Sequence, residues 1–305
     1  MQELTVYEGE SETNIQILDP QSIDATFLDL WLRGKSEKTR RAYLADMARF
    51  YDVVGKPLRQ VTLEDVYTFV DALTQLKPTS RNRAVAAVKS ALSFGLKSGY
   101  LSVNVGLLVK LEKLEDKLAE RIMSESTVSR LLALESNQRN HAILVLLYRA
   151  GLRCAELCSL TWRNLQERDE SGQIAVYGKG NKTRHVLLTQ ETWDEVMELM
   201  TIPEKFPGYD DYVFQSRQAH SRTDKNNRRM DESTVFRIVR RAAERSGISG
   251  NVSPHWMRHA HATHALENGA PITLVKETLG HKSIETTAKY THVRPNASSG
   301  QYLKV

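Results

Sequence analysis

Ala150-Gly151-Leu152-Arg153-Cys154-Ala155-Glu156-Leu157 is the most informative stretch of this 305-residue chain. Its arginine follows a glycine that interrupts an apolar run, and its glutamate comes three residues after the arginine. Positions three apart share a face of a helix, so Glu156 can hold the guanidinium of Arg153 in one orientation. A guanidinium stays charged at any working pH and offers planar paired donors. We expect an oriented anion-binding arginine here, and a plain ion pair at a helix start is the alternative.

Three further segments complete a distinctive order of residues along the chain. They are Gly178-Lys179-Gly180, His255-Trp256-Met257-Arg258-His259, and Leu279-Gly280-His281 followed nine residues later by Tyr290. Together with the first stretch they resemble the catalytic motifs of the tyrosine recombinase family, which includes phage-type integrases and Xer-type chromosome resolution recombinases. The resemblance runs over most of residues 22–293 and is weaker in the N-terminal part.

This resemblance implies a site-specific DNA recombinase that cleaves and rejoins strands through a 3′-phosphotyrosine intermediate and a Holliday junction. The implied partners are double-stranded DNA with a specific recombination site, three further copies of the chain in a homo-tetramer on two sites, and accessory proteins. The implied catalytic residues are Arg153, Lys179, His255, Arg258, His281 and Tyr290, with Glu156 as a supporting carboxylate.

The chemistry of phosphate attack fits these residue types. Attack on phosphorus concentrates negative charge on the non-bridging oxygens, and Arg153 and Arg258 can clamp them. A tyrosine hydroxyl has a pKa of about 10 and needs a proton acceptor, for which His255 is the candidate. Lys179 is suited to protonate the departing 5′-oxygen. The phosphotyrosine keeps the phosphodiester energy, so we expect no ATP site, cofactor or metal.

The hydrophobic pattern predicts a mainly α fold with a small antiparallel β-sheet, and the resemblance implies that its two domains form a DNA clamp. We expect a flexible acidic arm (1–21), a helical DNA-binding domain (22–102), a linker (103–121), a catalytic domain (122–294) and a tail (295–305). Apolar stripes predict helices around 23–31, after Ser36, after Thr62 and after Pro78. Within these, Ile23, Leu30 and Leu96 are expected to face inward, and residues 110–117 to be partly helical. Strands are predicted at 174–177 and 185–188, joined by a tight turn.

Composition agrees with a nucleic-acid partner. The net charge is +5 and the pI about 9.1, although residues 1–22 hold five acids and no Lys or Arg. A basic body favours a polyanion. Candidate DNA contacts at helix starts are Lys38, Arg40, Arg41, Arg81 and Arg83, and a solvated basic face is the alternative. No apolar run is long enough to span a bilayer and no signal peptide is apparent, so we expect a cytoplasmic, nucleoid-associated protein.

Several alternatives remain open from the sequence. A type IB topoisomerase would use the same chemistry without needing two matched DNA sites. A catalytically silent DNA-binding accessory protein would keep the fold without the activity. His255 and His259 are four apart, as in helical zinc sites, but Trp256 replaces the usual glutamate, so His259 and His264 are expected to be structural. Tyr302 is a weak rival nucleophile, and the tail around it docks either on its own domain or on a neighbouring protomer.

Overall fold

A computed structural model describes residues 20–115, 118–169, 171–178, 183–201, 208–216 and 228–291. The chain divides into two compact units, Met1–Glu115 and Asp116–Val305. The predicted acidic arm up to residue 19, Lys179 with the rest of its turn, and the C-terminal tail with Tyr302 lie outside the described residues.

The N-terminal unit is a helical bundle around its own apolar core. Its helices are α1 (Pro20–Ile23), α2 (Ala25–Leu32), α3 (Glu37–Val54), α4 (Leu63–Ala72) and α5 (Pro78–Lys97). Two of the predicted starts are confirmed by their caps. The Ser36 hydroxyl accepts a hydrogen bond from the backbone N–H of Thr39, and Thr62 forms a reciprocal capping box with Asp65. Caps of this kind fix where α3 and α4 begin.

The prediction of one continuous inward stripe over residues 23–31 is wrong. The helix is interrupted between α1 and α2 at Asp24, and Ile23 and Leu30 are 49% and 46% exposed. The fully buried Asp24 carboxylate accepts hydrogen bonds from the hydroxyls of Tyr51 and Tyr100. This polar anchor turns α2 so that its buried face is Phe27, Leu28, Trp31 and Leu32.

Two further expectations for this unit are also wrong. Leu96 is exposed, because the last turn of α5 presents Gly95 to the core and Leu101 folds over that glycine. A Cβ on Gly95 would lie only 2.6 Å from Cδ1 of Leu101, which explains the small residue. Residues 110–115 form no helix; the Glu112 backbone instead exchanges hydrogen bonds with the Asn82 side chain of α5.

The C-terminal unit is a larger helical body with a separate core. Its helices are α6 (Glu125–Ala133), α7 (Gln138–Arg149), α8 (Cys154–Cys158), α9 (Gln190–Glu198), α10 (Glu232–Arg245), α11 (Pro254–Glu267), α12 (Ile272–Leu279) and α13 (Ile284–Ala288). Helix α7 lies at the centre, since its residues 142–147 are all buried, and α8, α9, α10 and α11 pack around it. None of the helices within the described ranges is long and apolar enough to cross a membrane.

A small antiparallel sheet borders the helices of this unit. Its order is β1 (Leu165–Arg168), β2 (Ser171–Tyr177) and β3 (Thr183–Leu188), with Leu165 opposite Ile174 and Ile174 opposite Val186. The mainly α fold with a small antiparallel sheet is thus confirmed. The sequence did not predict β1, because that strand lies on the sheet edge and buries none of its side chains.

Candidate active site

Arg258 forms the buried floor of the candidate site. It lies in the second turn of α11, and only 4% of its surface is exposed. Its two terminal nitrogens donate to the backbone carbonyls of Gly151 and Leu279. Burial, followed by the charge of Arg153, lowers the pKa of Arg258 to about 9, so the side chain is cationic at neutral pH. Rigid carbonyl anchors on both sides preorganise this cation.

The glycines of the motifs shape the loops that hold this arginine. Gly151, which follows α7, has φ +58°, and Gly280, which ends α12, has φ +62°. Both values lie in the left-handed region that side chains disfavour. A Cβ on Gly151 would come within 2.8 Å of Leu279 Cδ2, and one on Gly280 within 3.1 Å of Arg184 Cδ. Only glycine therefore allows the two loops to bring their carbonyls to the arginines.

Glu156 holds two arginines at the start of α8. Its carboxylate accepts bonds of 2.8 Å from the Arg153 backbone N–H and from Arg153 Nη1. Arg184 of β3 binds the same carboxylate with both terminal nitrogens, each at 2.8 Å. The Nε of Arg184 donates to the carbonyl of Thr278 and Nη2 of Arg153 to that of Gly280. Through these two arginines, the carboxylate links α8 and β3 to the end of α12.

The two guanidinium groups keep Glu156 ionised despite its burial. Burial by itself raises the pKa of this carboxyl group, but hydrogen bonds and charge from Arg184, with the backbone and side chain of Arg153, outweigh it and lower the pKa to about 2. The carboxylate is therefore charged throughout the neutral range. Its position leaves Arg153 39% exposed at the side chain, which is open to a phosphate.

His281 follows Gly280 and lies beside the same arginines. Its Nδ1 lies 2.9 Å from the hydroxyl of the buried Thr287. Burial, and then the charge of Arg258, lower the pKa of His281 to about 4, so the imidazole is neutral at pH 7. A neutral imidazole held by one nitrogen can offer the other to a phosphate oxygen as a hydrogen-bond donor.

Tyr290 lies just after α13 and is 7% exposed. Its ring packs with Ile122, Ala262 and neighbouring apolar residues, and it is stacked on the ring of His281 with centroids 6.3 Å apart. The hydroxyl oxygen is 2.7 Å from Nδ1 of His259. The positions of the tyrosine ring and of its hydroxyl group are thus both fixed. They lie next to the Gly151 and Gly280 loops, whose carbonyls bind the arginines.

Two family models match this chain. The model described as the N-terminal SAM-like domain of phage integrases covers residues 23–99, and the model of the phage integrase family covers residues 114–297, more than half of the chain. The chain belongs to the phage integrase family. The resemblance inferred from the catalytic motifs is therefore confirmed.

Relatives and solved structures extend this result over nearly the whole chain. Tyrosine recombinase XerD of Shewanella oneidensis is 34% identical over 286 residues, covering 89% of this chain and 91% of the relative. Tyrosine recombinase XerA of Pyrococcus horikoshii is 32% identical over 276 residues, covering 88% and 87%. The XerH recombinase bound to difH in a pre-cleavage complex shares the fold, with TM-score 0.68, 18% identity, and 92% and 82% coverage. A lambda integrase tetramer bound to a Holliday junction gives TM-score 0.66 at 18% identity, covering 90% and 79%.

The structure of this integrase-family chain brings Arg153, Arg258, His281 and Tyr290 together, with Glu156 behind them. His255 is exposed, and its ring centroid is 6.4 Å from that of His259. His264, by contrast, is buried between the Tyr148 hydroxyl and the Met123 carbonyl, at 2.9 Å from each. Cys154 and Cys158 are free and buried, and no group of three His, Cys, Asp or Glu that could hold a metal occurs among the described residues.

The five basic candidates of the N-terminal unit differ in how they are held. Arg40 pairs with Asp29 at 3.3 Å, Arg41 with Glu37 at 3.8 Å, and Arg81 with Glu112 at 3.0 Å. Arg83 binds the fully buried Asp46 at 2.6 Å. Lys38 is exposed. An exposed ion pair contributes only about 0–1 kcal/mol to stability. An arginine in such a pair can therefore exchange its carboxylate partner for a DNA phosphate at little cost.

Sequence reasoning missed two residues of this site. Arg184 looks like an ordinary polar residue of an edge strand, and only the fold shows that it is saturated by Glu156 and a carbonyl. His259 was expected to be structural, yet it contacts the hydroxyl of Tyr290, 31 residues away. Its position directly after Arg258 in the motif was the available signal.

We expect Arg184→Gln to slow DNA cleavage by about 10- to 100-fold, by analogy with residues that orient the ligands of a catalytic metal. The variant removes two bonds to Glu156, so the carboxylate is held less firmly and orients Arg153 less well. Single-turnover cleavage at saturating DNA measures this. Arg163→Gln is the matched control, since Arg163 makes a similar two-bond pair with the exposed Asp210. Equal cleavage by both variants would contradict the positioning role.

Proposed function

We propose that this protein is a site-specific DNA recombinase that cleaves and rejoins strands through a 3′-phosphotyrosine intermediate. The observation that carries the proposal is the buried Tyr290 hydroxyl beside the arginine loops. Tyrosine recombinases that match over nearly the whole chain support it.

In the cleavage step the Tyr290 oxygen attacks phosphorus, the bond from phosphorus to the 5′-oxygen breaks, and the strand ends in a free 5′-hydroxyl. Arg153 and Arg258 bind the non-bridging oxygens as their charge grows, and His281 donates a further hydrogen bond. Removal of one such donor typically costs a factor of about 10²–10³ in rate. Because the arginines are already held by carbonyls and by Glu156, they need no reorganisation when the charge develops.

Strand exchange follows from the same chemistry in reverse. A 5′-hydroxyl from a second duplex attacks the phosphotyrosine, which restores the phosphodiester and frees Tyr290. The ester bond conserves the energy of the broken bond, so no ATP is consumed. Lys179 is our candidate for protonating the departing 5′-oxygen, on the basis of its place in the family motif. One exchange of strands gives a Holliday junction, and a second resolves it.

We further propose that four protomers act on two DNA sites, with accessory proteins, on the nucleoid in the cytoplasm. The lambda integrase tetramer on a Holliday junction supports this stoichiometry by its shared fold. The N-terminal unit contributes contacts to the DNA backbone through Lys38, Arg40, Arg41, Arg81 and Arg83. Each phosphate contact of this kind steepens the dependence of binding on salt.

A two-site plasmid assay tests the function. A binding site is first selected from random duplex DNA, and two copies in direct repeat are placed on a supercoiled plasmid. A recombinase converts the plasmid into two circles that depend on both copies. Relaxation of a plasmid that carries one copy or none would instead show a topoisomerase. Binding without covalent adducts or circles would show a silent accessory protein.

A further inference from the structure

A ring nitrogen in hydrogen-bond contact with the nucleophile belongs to a residue outside the motif positions assigned to catalysis. Nδ1 of His259 lies 2.7 Å from the Tyr290 hydroxyl oxygen, within hydrogen-bond distance. His255, the candidate from the motif, is exposed one turn earlier on α11. We propose that His259 is the base that takes the proton from Tyr290 as its oxygen attacks phosphorus, an inference that rests on the proposed function.

The contact is produced by tertiary packing. His259 is in the middle of α11, whereas Tyr290 comes after α13, and the tyrosine ring is held among residues such as Ala262 of α11 and Val275 and Leu279 of α12. These apolar contacts fix the direction of the hydroxyl towards Nδ1. A phenol protonated at neutral pH donates this bond, and the Nδ1 of a neutral imidazole accepts it.

The charged and titratable groups around the pair favour proton transfer. His255 faces His259 from the same helix, with ring centroids 6.4 Å apart, and His281 lies against the other side of the tyrosine ring. His281 is neutral at pH 7 because burial, and then Arg258, lower its pKa to about 4. The cationic Arg258 stabilises the tyrosinate that forms when the proton moves to His259.

The proton balance is complete in both directions. As the bond from Tyr290 to phosphorus forms, the phenolic proton moves to Nδ1 of His259, and the 5′-oxygen leaves with a proton from Lys179. In the rejoining step the attacking 5′-hydroxyl gives up its proton to Lys179. The protonated His259 then returns its proton to the departing tyrosine oxygen. The same two residues therefore serve cleavage and rejoining.

His259→Asn isolates the proton-accepting role, because the asparagine amide reaches the position of Nδ1 but cannot take a proton. We measure single-turnover adduct formation on a nicked duplex of the selected site, at saturating DNA. We expect the variant to bind DNA normally and to form the adduct about 10²- to 10⁴-fold more slowly, the usual contribution of a general base.

A more acidic tyrosine supplies the decisive comparison. Replacement of Tyr290 by 3,5-difluorotyrosine lowers the pKa of the hydroxyl group, so attack depends less on a base. We expect this replacement to recover at least about tenfold of the rate in His259→Asn and to change the wild type little. A residue that only supports packing would show no such rescue. His185→Asn, a change at an exposed position of β3, is the matched control and should cleave like the wild type.

Three outcomes would overturn the inference. They are wild-type cleavage by His259→Asn, slow cleavage without rescue by the fluorinated tyrosine, and rescue in His255→Asn in place of His259→Asn, which would make His255 the base. Thermal melting and DNA binding verify that the variants fold, and His259→Gln replaces any variant that does not. Absence of an adduct from the wild type would refute the proposed function itself, which keeps the two failures distinct.

Discussion

Tyr290→Phe should bind the recombination site with unchanged affinity and form no covalent adduct. The change removes only the hydroxyl oxygen, while the ring keeps its contacts with Ile122, Val275 and Leu279. Arg153, Arg258 and His281 act as hydrogen-bond donors to the phosphate, so they do not replace the missing nucleophile. A nicked suicide substrate, analysed on a denaturing gel, measures the adduct.

Tyr302→Phe is the control for this experiment, since Tyr302 lies in the tail and is the rival nucleophile. It should form the adduct like the wild type. An adduct that persists in Tyr290→Phe and disappears in Tyr302→Phe would transfer the assignment to the tail. Loss in both variants, with DNA binding intact, would mean that the tail is needed to align Tyr290.

Arg258→Lys should reduce the cleavage rate by about 10²- to 10³-fold, the cost of losing a preorganised donor. Lysine keeps the charge but presents it as a point, so it cannot bind the carbonyls of Gly151 and Leu279 and a phosphate at once. Buried carbonyls without donors cost about 1–3 kcal/mol each, so the urea midpoint should also fall. Adduct formation at saturating DNA and urea unfolding measure the two effects separately.

Arg240→Lys is the matched control for this change. Arg240 pairs with Glu244 on the exposed face of α10, where a lysine can replace it. It should leave both the cleavage rate and the urea midpoint nearly unchanged. Wild-type cleavage by Arg258→Lys would show that a single positive charge suffices and that the paired donors of this arginine are not used in the transition state.

Secondary structure was largely predictable where one face of an element is buried. The stripe of α4, with Val66, Phe69 and Leu73, gives a period that only a helix satisfies. Prediction failed where a polar group controls the backbone. The buried Asp24 breaks the first helix and exposes Leu30, and nothing in the local pattern distinguishes that aspartate from a surface residue. Strand β1 was not predicted because an exposed edge strand shows no alternation of apolar and polar residues.

The residues of the site were predictable from the motifs, but the hydrogen bonds between them were not. The order of Arg153, Arg258, His281 and Tyr290 follows from the resemblance, and the structure brings these residues together. Contacts between distant segments leave no local pattern in the sequence. The spacing of residues therefore could not predict the hydrogen bond between Tyr290 and His259 or the two bonds from Arg184 to Glu156. Both depend on how α11, α12 and β3 pack.

Mapping the residue that becomes linked to DNA shows directly whether Tyr290 is the nucleophile. The adduct is digested with nuclease and trypsin and sequenced by mass spectrometry. Since Arg294 precedes Pro295, trypsin leaves Tyr290 and Tyr302 in one peptide that ends at Lys304, so fragmentation must assign the phosphate. We expect a nucleotide phosphate on Tyr290 alone. A phosphate on Tyr302, or on any other residue, would contradict it.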